Sequence, residues 1–196
     1  MKTVDIRNYS SMLTLAASLL GAGLANSALA AESGRDQAAL VKVPSQSKLS
    51  LMDGLRQATK PPEVPISAIF EFDDAGKLPL SIYTAEKGIS LDPEKNVLKE
   101  LSGSPAQDKW TPEIEVFKDV PHVARSSQQL TLMSISRFPL VDIVAKSQKE
   151  HGGTVLSVSP MMRDRKPVFV VLIADKGKVT EYQYSVLDGN LVPGGR

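Results

Sequence analysis

Apolar and polar positions follow their most regular pattern in the last third of the chain. Leu140, Ile143 and Val144 recur at helical spacing, and the pair Gly152-Gly153 comes after them. This spacing predicts a short amphipathic helix that ends at the glycine pair. Three apolar runs of strand length, separated by turn-forming residues, span residues 154–159, 168–174 and 179–187. The pattern therefore predicts one helix followed by three strands.

A similar pattern occurs 89 positions earlier in the chain. Three short segments match later ones at this displacement: residues 50–55 and 139–144, 85–88 and 174–177, 96–98 and 185–187. Matches that share one displacement indicate an internal duplication. The sequence therefore predicts an α+β fold of two tandem modules, each a helix packed on a small antiparallel sheet. The modules occupy residues 48–102 and 135–196.

Two segments of the first module need separate interpretation. Residues 73–77 combine two carboxylates with Gly76, which predicts a hairpin turn with a positive φ at the glycine. In residues 89–103, Asp92 as N-cap and Pro93 at the first position predict a short helix that ends before Gly103 and carries Val97, Leu98 and Leu101. The duplication instead predicts a strand, a turn and a strand, with Asn96 in the left-handed conformation. We favour this second interpretation.

Residues 103–134 form a linker and connecting segment between the two modules. The segment contains the chain's single tryptophan, Trp110, which we expect to dock on a module and fix the linker. Ile114, Val116 and Val120 predict a short strand that ends at Pro121, and a polar-faced helix is expected after it.

The first thirty residues have the organisation of a cleavable signal peptide. A weakly basic start precedes an apolar run at residues 12–25, which is too short to span a bilayer. Small residues at Ala28 and Ala30 predict cleavage near Ala30. We therefore expect a periplasmic or secreted protein, with residues 1–30 removed and residues 31–47 forming a flexible leader. No stable membrane insertion is expected after cleavage.

The C-terminal helix, its glycine pair and the segment RDRKPVFVVLIADKGKVTEYQYSVLDGNLV resemble the PepSY module of bacterial envelope and secreted proteins. The resemblance covers residues 135–196, and residues 48–102 would be a diverged second copy. PepSY modules occur in peptidase propeptides, so the resemblance implies a non-catalytic binding module that restrains a peptidase. An envelope adaptor without a peptidase partner is the alternative. In both cases the expected partner is another envelope protein.

A candidate partner surface lies on the last two predicted strands. The run 168–174 is apolar on both faces, so it is covered on both sides or presents one face to a partner. Aromatic stripes are more often cross-strand packing than binding sites, although exposed tyrosines favour an interface. The candidate surface residues are Phe169, Val171, Tyr182 and Tyr184.

Composition and motifs predict neither catalysis nor a cofactor. The chain has no cysteine, which excludes disulfides and cysteine-linked lipid. Its formal net charge is +1, which gives no electrostatic footprint for nucleic acid. The two histidines, His122 and His151, lack metal-ligand spacing, and Met161 and Met162 point to opposite faces of a strand. We therefore predict no catalytic, cofactor-binding or metal residues; an enzyme or metal carrier is the least favoured class.

Overall fold

The computed structural model describes residues 39–58, 60–72, 76–107 and 109–193. The predicted signal peptide, most of the predicted leader and residues 73–75 of the predicted turn lie outside the described residues. Gly76, which is described, has a φ of 72°, as the turn prediction requires.

The described residues form a mixed α+β fold, which confirms the predicted class. The helices are α1 (Val43–Gln46), α2 (Leu51–Ala58), α3 (Val120–Ser134) and α4 (Leu140–His151), with a short 3-10 helix at Pro93–Lys95. The strands are β1 (Val64–Phe70), β2 (Leu80–Ala85), β3 (Leu98–Gly103), β4 (Glu113–Val116), β5 (Thr154–Arg163), β6 (Lys166–Asp175) and β7 (Lys178–Ser185).

The strands build one antiparallel sheet in the order β4-β3-β2-β1-β5-β6-β7. Strands β1 and β5 join the two halves at the centre, where Ala68 lies opposite Val158 and Ile69 opposite Ser157. Two separate small sheets, as the tandem prediction had them, are therefore not observed. The sheet is continuous because the first strand of each half pairs with the other.

Helices cover both faces of the sheet. On one face, α2 packs beside α4 and approaches β2 so closely that a Cβ at Gly54 would lie 2.5 Å from the side chain of Leu80. The side chain of Tyr83 points to the opposite face, because neighbouring residues in a strand alternate. There Tyr83 packs on Phe117, whose ring stacks on His122 of α3. The central strands are therefore buried between two helical layers.

The two halves have the same element order, α2-β1-β2-β3 and α4-β5-β6-β7, and their helices start 89 residues apart. Their third strands do not keep this displacement. Leu98 lies opposite Ala85, the last residue of β2. In the second half, Ala174 corresponds to Ala85, and the residue opposite it is Val179, whereas a displacement of 89 from Leu98 predicts Leu187. The longer β2–β3 connection accounts for the difference. The duplication itself stays a prediction.

Residues 89–103 match neither interpretation in full: residues 89–97 contain no strand, Asp92 and Pro93 begin only the short 3-10 helix Pro93–Lys95, and β3 follows it. A strand begins at Leu98, so the alternative helix bearing Leu98 and Leu101 is wrong. Asn96 is extended, with a φ of −98°, and not left-handed as predicted. Its side chain stabilises the connection instead: Oδ1 accepts from the backbone N–H of Lys87 at 2.9 Å, and Nδ2 donates to the carbonyl of Gly88 at 2.7 Å.

The connecting segment is part of the fold. Trp110 is only 5% exposed, which confirms that it docks. The predicted strand is β4, but Pro121 lies in the first turn of α3 and does not follow the strand directly. Val43, at the end of the predicted flexible leader, is fully buried in the core. This end of the leader is therefore fixed by packing.

The N-terminus of α2 is held by a reciprocal cap between Ser50 and Asp53. The hydroxyl of Ser50 accepts from the N–H of Asp53 at 3.1 Å, and the Asp53 carboxylate accepts from the Ser50 N–H at 3.0 Å and its hydroxyl at 2.7 Å. The hydrogen bond from the Ser50 hydroxyl lowers the pKa of Asp53 most, and the bond from the Ser50 N–H lowers it further. Two otherwise unpaired donors at the helix end are thereby satisfied.

Ser50→Ala is expected to lower the free energy of unfolding by about 1 kcal/mol at neutral pH. Because the folded-state pKa of Asp53 lies below its unfolded value, the cap stabilises the protein above the unfolded pKa, and this contribution is lost as pH falls through the folded pKa. Urea unfolding at neutral and acidic pH should show the gap between variant and parent narrowing in acid. An equal gap at both would contradict the assignment.

Candidate functional site

The structure corrects the predicted partner surface. Phe169, Val171 and Tyr184 are each 0% exposed, so they cannot contact a partner. They lie on a face of the sheet that α4 covers, and β6 is flanked by β5 and β7 on its two edges. Their apolar side chains form core, which is the cross-strand packing that the sequence also allowed. Tyr182 is half-buried.

Tyr182 and Tyr184 of β7 contact the C-terminal end of α4. The ring of Tyr182 stacks on His151 with the ring centroids 3.6 Å apart and the planes 11° from parallel. The hydroxyl of Tyr184 donates to the carboxylate of Glu150 at 2.9 Å, and burial raises the pKa of Tyr184 to about 12. Both tyrosines therefore hold helix against sheet.

Two exposed apolar side chains lie next to each other on one face of β4, at the other end of the sheet. This strand is the outermost one at that end of the sheet, pairs with β3 alone among the described strands, and exposes all four of its residues. At the opposite end β7 is outermost, and there Leu191 forms a bridge to Tyr184. Ile114 is 62% and Val116 46% exposed, and they share one face. Glu113 and Glu115 occupy the other face. We call residues Glu113–Val116 the open edge.

The backbone of the open edge offers hydrogen-bonding groups to solvent. The N–H of Phe117 donates to the carbonyl of Leu98 at 3.0 Å, which fixes the alternation of paired and unpaired positions along β4. By this alternation, the N–H and C=O groups of Ile114 and Val116 point away from β3. Across the described ranges, no other strand reaches them. A strand edge of this kind can receive another strand.

The carboxylates beside the open edge are not neutralised. Glu115 lies directly opposite Glu100 on β3, and like charges in this position destabilise a sheet. No ion pair involves Glu100, Glu113 or Glu115 within the described residues. Glu100 also contributes, after burial, to raising the pKa of Glu71 further along the same face. Glu100 and Glu115 therefore place negative charge at this edge, while Arg125 and His122 are the cationic groups that act on Glu71.

The sequence predicts strand β4 but not its position at the edge of the sheet. The alternation Glu-Ile-Glu-Val at residues 113–116 predicts a strand with one apolar face. Sequence alone does not show strand order, so it could not place this strand at the edge.

The described residues show no arrangement typical of a metal or membrane site. No three of the described His, Asp and Glu side chains lie close enough together to hold a metal ion. His122 is engaged by Asp119, with Nδ1 2.7 Å from its carboxylate, at the start of α3. Among these same residues, no helix has the length and apolarity to cross a bilayer.

Comparisons with known proteins give one structural similarity. No protein-family model matches the chain, and no match was found among curated proteins. The crystal structure of a "putative lipoprotein" from Clostridium difficile 630 is similar with a TM-score of 0.35 and 10% sequence identity, covering 74% of this chain and 91% of that one. A similarity of this size supports no statement on function.

Proposed function

We propose that this protein is a non-catalytic binding protein of the bacterial envelope, which receives an extended segment of a partner protein along the open edge. The observation that carries the proposal is that β4 has both outward-pointing backbone N–H and C=O groups and exposed apolar side chains. Strand addition supplies affinity through main-chain hydrogen bonds and specificity through alternate side chains.

The open edge defines the chemistry of the segment that it receives. Residues opposite Ile114 and Val116 lie on the apolar face, so they are apolar. The residue between them lies opposite Glu115, so it is basic and also relieves the repulsion between Glu115 and Glu100. The partner segment therefore alternates apolar and basic side chains.

A second copy of this chain is a poor occupant. A symmetric antiparallel pair that uses most of the strand places either Ile114 opposite Ile114 or Glu115 opposite Glu115. In the first register Glu113 lies opposite Glu115, and in the second two copies of Glu115 meet. Both registers put carboxylates directly opposite each other, which is destabilising. Charge therefore favours a different protein.

The sequence supports a location and a class of partner. The signal-peptide pattern supports export, and the PepSY resemblance supports a peptidase as the partner that is restrained. An adaptor that binds a non-peptidase envelope protein would use the same edge. These two are separated by testing whether the protein inhibits a captured peptidase and whether Ile114→Pro and Glu115→Lys abolish that inhibition.

A synthetic peptide that alternates valine and lysine is expected to bind, and one that alternates valine and glutamate is not. Ile114→Pro should weaken binding about tenfold, because it removes an outward N–H that the fold itself does not use. Glu115→Lys should reverse the preference between the two peptides. Fluorescence anisotropy of labelled peptides measures both effects.

Val120→Ala is the matched control, because Val120 is 79% exposed but lies outside the strand. It should bind the lysine peptide as the parent does. Trp110 fluorescence shows whether each variant is folded. Equal binding of both peptides, or unchanged binding by folded Ile114→Pro, would remove the open edge as the site.

A further inference from the structure

A second candidate site is an apolar pocket where the chain crosses between the two faces of the sheet. Its volume is about 290 Å³. The end of α3, the start of α4, the first residues of β1 and Ile89 line it. No residue of the open edge takes part. Small-molecule sites are pockets of this apolar kind with a few polar groups, and this one is at the lower end of their size range.

The β2–β3 connection contributes to the pocket. Ile89 lies in this connection, which the Asn96 side chain holds through its hydrogen bonds to Lys87 and Gly88. The corresponding turn between β6 and β7 is too short to supply such a residue. The longer connection therefore has a consequence beyond joining two strands: it adds an apolar wall.

Two polar side chains line the pocket, Ser136 and Arg137, and of these Arg137 is charged. Ser136 is engaged locally, since its hydroxyl accepts from the N–H of Phe138 at 3.0 Å. Arg137 is exposed and forms no ion pair within the described residues. Asp142, the acidic residue in the first turn of α4, is not among the lining residues. A guanidinium beside an apolar cavity is suited to a carboxylate.

The start of α4 adds to the same charge. Its first residue is preceded by Pro139, which provides no side-chain cap. The N–H groups of Leu140 and Val141 are among those that a helix cannot satisfy internally, and both residues line the pocket. Donors at a helix N-terminus favour a negative group.

We propose that this pocket binds an aliphatic monocarboxylate. The alkyl chain occupies the apolar cavity, and the carboxylate lies at the rim beside Arg137 and the start of α4. The charge of the rim selects an acid over a neutral or cationic chain of equal length. This site is independent of strand addition at the open edge, so either can be tested without the other.

Isothermal titration of the purified protein with octanoate, octanol and octylamine tests the proposal. Octanoate is expected to bind most tightly and octylamine most weakly. Arg137→Gln should weaken octanoate binding about tenfold, the size expected for losing a charge-assisted hydrogen bond, and leave octanol binding unchanged. Val141→Phe, which narrows the cavity, should weaken both.

Unfolding curves followed by Trp110 fluorescence show that each variant is folded before it is titrated. Acetate, which has the carboxylate without the chain, should not bind. Octanol binding as tightly as octanoate, with no effect of Arg137→Gln, would overturn the carboxylate assignment. Absence of saturable binding by any eight-carbon ligand would overturn the site itself.

Discussion

Phe169→Ala is expected to lower the free energy of unfolding by about 3–5 kcal/mol. The Phe169 side chain is fully buried on the face of the sheet below α4, and it lies opposite Tyr184 in the pairing of β6 with β7. Removing the ring loses its transfer free energy and leaves a cavity that the neighbouring strands cannot fill without moving. A residue on a binding surface would show no such loss.

Urea unfolding followed by Trp110 fluorescence measures the change, since Trp110 is buried in the folded protein. Met162→Ala is the control in the same half of the chain: Met162 is 43% exposed, so its loss should be within about 0.5 kcal/mol. Phe169→Leu should fall between the two. A loss below about 1 kcal/mol for Phe169→Ala would contradict the burial and return this residue to the candidate surface.

The elements of the C-terminal half were predictable because local chemistry determines them. The turn between β6 and β7 needs two positive φ values, and the chain supplies Lys176 at 46° and Gly177 at 77°. The helical spacing of Leu140, Ile143 and Val144 survives in α4, where all three are buried. Here sequence spacing and tertiary packing agree.

The arrangement of the halves was not predictable in the same way. Pairing of β1 with β5 joins residues about ninety positions apart, such as Ala68 and Val158, and no local signal encodes that contact. This pairing removes the edges that β1 and β5 would otherwise have, so the edges of the joined sheet are β4 and β7. Apolar side chains are therefore buried in β6 and exposed in β4, and the sequence does not show which of the two strands is covered.

The two candidate sites share a cause. Both use parts of the chain in which the two halves differ: β4, a four-residue strand where only an isolated bridge between Tyr184 and Leu191 follows β7, and Ile89 in the lengthened β2–β3 connection. The elements that the halves share mostly bury their apolar side chains in the core. We infer that binding properties of this protein reside in these additions and that the common elements provide the scaffold.

Gly153→Ala is expected to lower the free energy of unfolding by roughly 2–5 kcal/mol. The φ of Gly153 is 71°, which strains any residue with a Cβ, and a Cβ here would lie 2.6 Å from the carbonyl oxygen of Ala174. That atom belongs to the backbone of β6, so it cannot rotate away. The substitution must therefore shift the start of β5 relative to β6.

Gly152→Ala separates the two contributions, because Gly152 has nearly the same φ, 70°, but nothing within 4 Å of its Cβ position. It should lose only the conformational part, about 1–2 kcal/mol. Urea unfolding of both variants gives the difference directly. The sequence presents the two glycines as one helix-ending pair, whereas the structure gives only the second a packing role. Equal losses would show that backbone conformation alone requires glycine at both positions, and that β5 and β6 are not as closely apposed as the structure has them.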